Sequence, residues 1–176
     1  MNDSGSTPMP MNAETTAERG SDRELVVTRT FRGPARLVFE AWTRPDLFKR
    51  WWTPKSFGLT LISYEADVRT GGTYHLVMGH PSSETPMSFF GRYIEVTPPS
   101  RLVWTNDEGD EEGAVTTVTF EDRGDTTLVV LRDLYPSKEA LDEAIASGST
   151  SGWGEQFNQL DELIATLPYD PRLQEG

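Results

Sequence analysis

Apolar side chains recur along this chain with two different periods, and each period predicts its own kind of element. In residues 151–167, SGWGEQFNQLDELIATL, Trp153, Phe157, Leu160, Ile164 and Leu167 follow one another at steps of four, three, four and three. That spacing places five large side chains on one stripe of a helix. Glu155, Asn158, Asp161, Glu162 and Thr166 fall on the other side, which is expected to face water. Thr150 or Ser151 can cap the first turn, and Pro168, lacking an N–H, ends the helix. A helix with two large aromatics on one stripe must bury them, and most of the chain before it reads as strands.

Residues 24–31, ELVVTRTF, are β-branched and apolar and predict the first strand. Gly33-Pro34 breaks it, and Pro34 suits the first position of a helix over 34–43, with Leu37, Val38, Ala41 and Trp42 at helical spacing. Pro45 opens a short helix over 45–52 whose apolar set is Leu47, Phe48, Trp51 and Trp52. Residues 57–66 run from a loop into a strand, and Thr70-Gly71-Gly72 signals a tight turn. In 73–78, Tyr74, Leu76 and Met78 alternate with Thr73, His75 and Val77. The segment 80–86 reads as an exposed connection. A longer strand over 87–96 follows, in which Gly91 marks a bulge or a close approach. Pro98-Pro99 turns the chain into a strand at 101–105. A hairpin loop at 106–113, strands at 114–120 and 126–132, and a helix at 138–146 complete the order. Strands joined by hairpins, with helices grouped apart, define an α+β fold.

Composition narrows the class. The chain has 176 residues, which suits one domain with a substantial core. Lys and Arg total 16 against 28 Asp and Glu, a net charge of −12. Binding to a nucleic-acid backbone needs cations that displace counterions, so no nucleic-acid partner is expected. An anionic membrane surface is disfavoured for the same reason, and no apolar run approaches a membrane span. There is no cysteine, which removes disulfides, thiol nucleophiles and thiolate metal ligands. Residues 1–22 are rich in Ser, Thr, Gly, Pro and Asn and read as a disordered tail without the features of a signal peptide. The expected organisation is a tail over 1–22, one domain over 23–168 and a short tail over 169–176, in a cytoplasmic protein.

Several runs agree in order and spacing with a known family. They are Thr28-Arg29-Thr30-Phe31, the segment from Ala35 to Trp42, Pro45, and Arg50-Trp51-Trp52-Thr53-Pro54. The turn from Asp67 to Tyr74 matches as well, as do Gly91 to Val96, Pro98 to Leu102, and Gly152-Trp153 at the head of the last helix. On these motifs residues 24–167 resemble the START-like (SRPBCC) superfamily and, within it, the activator of Hsp90 ATPase homologue (AHSA1-like) family. The resemblance implies a helix-grip (Bet v 1-like) fold, a curved antiparallel sheet of about six to seven strands around a long C-terminal helix. It also implies a deep apolar cavity between sheet and helix that holds hydrophobic or amphipathic molecules, with no cofactor. A chaperone partner, which the family name implies, draws in the name-giving protein on a further N-terminal domain. Residues 1–22 carry nothing like its Asn- and Trp-containing motif.

A fold hosts many functions, so the site has to be read from residues. Strand alternation nominates Tyr74, Leu76, Met78, Phe89, Tyr93 and Trp104 as cavity wall. Trp153 and Phe157 come from the helix, and Trp52 and Phe57 stand at the mouth. The competing reading is that these side chains simply fill the core. Arg132 follows Leu128 and Val130 at alternate positions and is expected to point inward and orient a ligand. Asp67, Arg69 and Arg92 form an ion pair or an anion site beside the Gly71-Gly72 turn. His75 and His80, the two histidines, have no ligand-spaced partner for zinc and serve as a base only if they reach a pocket. The acidic run at 107–112 lacks the spacing of a calcium loop, so no metal is expected. Three functions stay open. The first is a binding module for a small hydrophobic molecule, and the second is a polyketide cyclase- or hydrolase-like enzyme. The third is a stress-related chaperone partner. The protein is a monomer or a homodimer in each case.

Overall fold

Strand β2 (Glu24–Phe31) carries the alternation that organises the sheet: Leu25, Val27, Arg29 and Phe31 are buried, and the residues between them are half-buried. A computed structural model of the protein describes residues 15–53, 55–107, 113–147 and 152–167, with the side chain of Phe57 excluded. On one side β2 pairs with β8 (Thr127–Leu134), and on the other with β1 (Thr16–Arg19). Strand β1 lies inside the segment read as a disordered tail, and its four residues, TAER, are all exposed. An edge strand of this kind is held by backbone pairing and needs no apolar alternation, so composition did not announce it.

The remaining strands are β3 (Thr60–Ala66), β4 (Thr73–His80), β5 (Ser83–Thr97), β6 (Arg101–Thr105) and β7 (Val115–Asp122). All eight form one antiparallel sheet in the order β1-β2-β8-β7-β6-β5-β4-β3. The exposed connection expected at 80–86 is shorter than read, because His80 already pairs with Ser83 and β5 starts there. The turn at 70–72 requires its glycines: Gly71 sits at φ +90°, and a Cβ on Gly72 would lie 1.9 Å from the Asp67 carbonyl oxygen.

Among the described residues there are four α-helices. They are α1 (Ala35–Thr43), α2 (Pro45–Phe48), α3 (Lys138–Ala146) and α4 (Trp153–Thr166). Helix α2 ends after one turn, so Trp51 and Trp52 stand beyond it. The Trp51 indole is fully buried and donates to the Ala41 carbonyl at 2.9 Å. Helix α3 is capped by Ser137, whose hydroxyl accepts from the Ala140 N–H. The caps expected for α4 at 150, 151 and 168 lie outside the described residues. Helix α4 packs Phe157, Leu160, Leu163 and Ile164 inward, toward a sheet face whose buried residues include Val27, Phe31, Val118, Val129 and Leu131. Each such side chain contributes roughly 1.5–3 kcal/mol by leaving water.

The side of α4 expected to face water does more than that. Arg29 is 5% exposed, and its Nη1 donates to Asn158 Oδ1 at 2.6 Å and Thr15 Oγ1 at 3.0 Å. Its Nη2 lies 3.5 Å from Asp161, which also accepts from Arg32 at 3.0 Å. Asn158 and Asp161 are therefore half-buried along the seam with β2. Further along, Gln159 donates to the carbonyls of Trp51 and Thr53 and accepts from the Lys55 N–H, each at 2.9 Å. Glu155 accepts from the N–H and hydroxyl of Ser56, and Gln156 donates to the Trp52 carbonyl. These contacts hold residues 51–53, 55 and 56 beside the helix, and so place Trp52.

Candidate functional site

At the β3–β6 end of the sheet the side chains do not meet across the middle, and a cavity of about 330 Å³ remains. Strand β4 turns Tyr74, Leu76 and Met78 into it, β5 supplies Met87, Phe89 and Tyr93, and β6 supplies Leu102 and Trp104. Tyr64 comes from β3 and Leu59 from just before it. Trp42, Phe48 and Trp52 close one side, and Gly152, Trp153 and Gln156 close the helix side. The rings hold one another at defined angles. Phe48 stacks on Trp52 and on Tyr64 with centroids 4.7 and 4.9 Å apart, and Trp52 meets Trp153 edge-on at 5.7 Å. Trp42 packs against Trp51, Phe120 and Phe157, and its indole N–H is buried with no hydrogen-bond partner.

The polar groups on the wall are few. Tyr74 donates from its hydroxyl to the Thr105 carbonyl at 2.7 Å, with Asn106 Oδ1 at 3.4 Å. That reach depends on Gly91, where a Cβ would lie 2.0 Å from the Thr105 carbonyl oxygen and 2.9 Å from the Tyr74 ring. The close approach read from Gly91 is thus the feature that seats Tyr74. Burial holds the Tyr64 hydroxyl well above the usual phenol range, helped by the neighbouring Tyr93, and burial raises Tyr93 as well. Among the described residues, no Asp, Glu, Lys, Arg or His lines the cavity.

Behind Trp104 a row of inward residues crosses the sheet: Trp104 pairs with Thr116, Thr116 with Asp133, and Asp133 with Leu25. Asp133 is buried and accepts from the Thr116 hydroxyl. Desolvation pushes its carboxyl up to about 6, against the lowering effect of that hydrogen bond. Burial of Tyr135, and after it the charge of Asp133, raise its hydroxyl to about 12.

Eight of the residues nominated from sequence surround this cavity: Trp52, Tyr74, Leu76, Met78, Phe89, Tyr93, Trp104 and Trp153. Phe157 lies beneath them, fully buried between Phe31, Trp42 and Trp153, and does not line the space. The Phe57 side chain lies outside the described residues. Arg132 corrects the reading. The inward residues of β8 are Thr127, Val129, Leu131 and Asp133, so Arg132 points away, 51% exposed and 3.7 Å from Glu24. His75 is exposed against Phe90, His80 accepts from the Ser82 N–H at its Nδ1, and neither lines the cavity. Arg69 pairs with Asp67 at 2.8 Å and Arg92 with Asp107 at 3.9 Å, all at the surface.

Sequence reasoning missed Trp42, Phe48 and Tyr64, which it had placed in local apolar sets or a loop, and the polar pair Asn106 and Gln156. For Gln156 the signal was present: it follows Trp153 by three residues and shares its helix face. Among the described residues there is no group of three or more His, Cys, Asp or Glu able to hold a metal. Among them too, no helix is long and apolar enough to cross a membrane.

Solved structures share this architecture. A crystal structure of a protein from Nitrosomonas europaea is 25% identical, with a TM-score of 0.74 over 82% of this chain and 96% of the other. A protein from Rhodobacter sphaeroides is 23% identical, with a TM-score of 0.78 over 88% of this chain and 100% of its own. An AHSA1-like protein from Aeromonas hydrophila is 19% identical and reaches 0.64 over 82% and 97%. No curated protein gives a significant match. Residues 32–165 match the sequence model of the family described as activator of Hsp90 ATPase homolog 1-like protein, and the chain belongs to that family.

Proposed function

We propose that this protein binds one small, uncharged hydrophobic molecule in the cavity between β3–β6 and α4. One observation carries the reading: a space of about 330 Å³ walled by nine aromatic side chains and, among the described residues, no charged one. Ligand pockets have this character, apolar walls with a few placed polar groups, and the volume lies at the small end of their range. Burying an ion there without a counter-charge would cost far more than it returns, so a neutral ligand fits best. Binding is favoured over catalysis, because the two tyrosine hydroxyls on the wall that titrate abnormally are held protonated and act as neutral donors.

Four of the five tryptophans, Trp42, Trp52, Trp104 and Trp153, line the cavity, so indole emission reports its occupancy. Dansyl amide, a neutral two-ring probe that accepts energy from tryptophan, should show saturable sensitised emission with the folded protein. The unfolded chain should show none. Emission that rises linearly with probe, without saturation, would dismiss the cavity as a binding site.

A further inference from the structure

We infer that the cavity selects ligands carrying a hydrogen-bond donor, a hydroxyl or N–H, which is received by Asn106 Oδ1. The inference rests on the binding reading above and deepens it. Its basis is the assignment of hydrogens around one amide.

Asn106 lines the cavity at the end of β6. Its Nδ2 donates to the Ala114 carbonyl at 2.8 Å and to Thr116 Oγ1 at 3.2 Å. A carbonyl only accepts, so the nitrogen must be the atom facing Ala114, and the orientation of the amide is settled by its partner. Thr116 spends its own hydrogen on the buried Asp133, which leaves its oxygen as the acceptor for Asn106. Both amide hydrogens are therefore engaged by Ala114 and Thr116, and among the described residues Oδ1 receives only the 3.4 Å contact of the Tyr74 hydroxyl. Backbone contacts fix the segment as well. Asn106 N donates to the Ala114 carbonyl at 3.1 Å, and Asp107 N donates to the Phe90 carbonyl at 2.8 Å.

Tyr74 does not satisfy Oδ1. Its hydroxyl hydrogen goes to the Thr105 carbonyl at 2.7 Å, and the 3.4 Å separation from Asn106 leaves only a weak second branch. A held acceptor beside an apolar space, with no charged side chain among the described residues of the wall, demands a neutral donor from whatever fills that space. Occupation by a molecule lacking one would desolvate Oδ1 without compensation. The network through Thr116 to Asp133 has the role of keeping the amide from turning, and a buried carboxylate gives Thr116 a strong reason to donate away from Asn106.

The test compares β-naphthol with its methyl ether, which share a ring system and differ in the donor, by energy transfer from tryptophan. Naphthol should bind about five- to tenfold tighter than the ether, the worth of one neutral hydrogen bond. In Asn106→Leu the preference should vanish through loss of naphthol affinity, while ether affinity stays level, a split that simple damage to the site would not give. Should that variant fail to fold, Thr116→Val, which leaves Asn106 in place but removes its anchor, should shrink the preference. Equal affinity of both probes for the wild-type protein would overturn the inference and leave the binding cavity standing. A preference that survives either folded variant would overturn it too. Failure of both probes to bind would remove the binding reading and the inference together.

Discussion

The two ends of this sheet meet the same helical layer and end up differently. At the β2–β8–β7 end, Val27, Val118, Val129 and Leu131 are fully buried against Phe157 and Leu160, and the space is filled. At the β3–β6 end, Tyr64, Tyr74 and Phe89 remain half-buried around an open volume. Side-chain size alone would suggest the reverse, since the larger residues sit at the emptier end. The difference lies in how the residues are held. Branched aliphatic side chains at the filled end have no polar atoms and interdigitate freely. The rings at the open end are pinned: Tyr74 by Thr105, Tyr64 by its stacking on Phe48, and Trp52 by the Gln156 bond to its carbonyl. Pinned rings stand as walls and cannot collapse inward.

The comparison can be broken most sharply at Phe157. Replacing it with Ala should cost about 3–5 kcal/mol in denaturant unfolding, because its site is closed on every side. Phe89→Ala, on the cavity wall, should cost about 1 kcal/mol or less, since part of that ring already faces open space. Similar costs at the two sites would mean the ends are packed alike.

Next in size is the charge buried between them. Asp133 is raised from the ordinary 3.8 to about 6, so the folded state holds its proton more tightly than the unfolded chain. The stability linked to that proton is complete below 3.8 and is lost as pH climbs through about 6. The full span corresponds to roughly 3 kcal/mol. Asp133→Asn removes the dependence, so thermal melts should show the variant gaining on wild type as pH rises from about 4 to about 7. A gap that stays constant with pH would show that the carboxyl does not titrate in this window.

Gly91→Ala follows. The new methyl would meet the Thr105 carbonyl and the Tyr74 ring, with an expected cost of roughly 1–3 kcal/mol. Ligand affinity should fall with it, because Tyr74 loses its seat. Unchanged melting and unchanged binding would mean that the close approach does not shape the wall.

Most of this architecture was legible, because alternation in β2 and β4 and the three-four stripe of α4 are local signals. The failures share a cause. In β8, both sets of alternate positions hold two aliphatic residues, Leu128 and Val130 against Val129 and Leu131. Parity was then undecided, and placing Arg132 inward was the wrong branch; the inward charge is Asp133. In α4, a polar residue facing water and one facing a buried Arg29 read alike, so Asn158 and Asp161 went to solvent. Strand β1 has no side-chain signal at all. The cavity wall was half visible: alternation found the strand residues, whereas Trp42, Phe48 and Asn106 reach it by tertiary placement that no period encodes.

The central claim is that the open end is a binding space, and a cavity-filling change tests it most directly. Leu76 lies on the wall and is 4% exposed. Native mass spectrometry of the wild-type protein should reveal an added mass that denaturing extraction removes. In Leu76→Phe that mass should be absent, while the fold melts within about 1 kcal/mol of wild type because the new ring occupies empty space. Retention of the same bound mass by a folded Leu76→Phe protein, or a bare wild-type protein alongside a severely destabilised variant, would contradict the account.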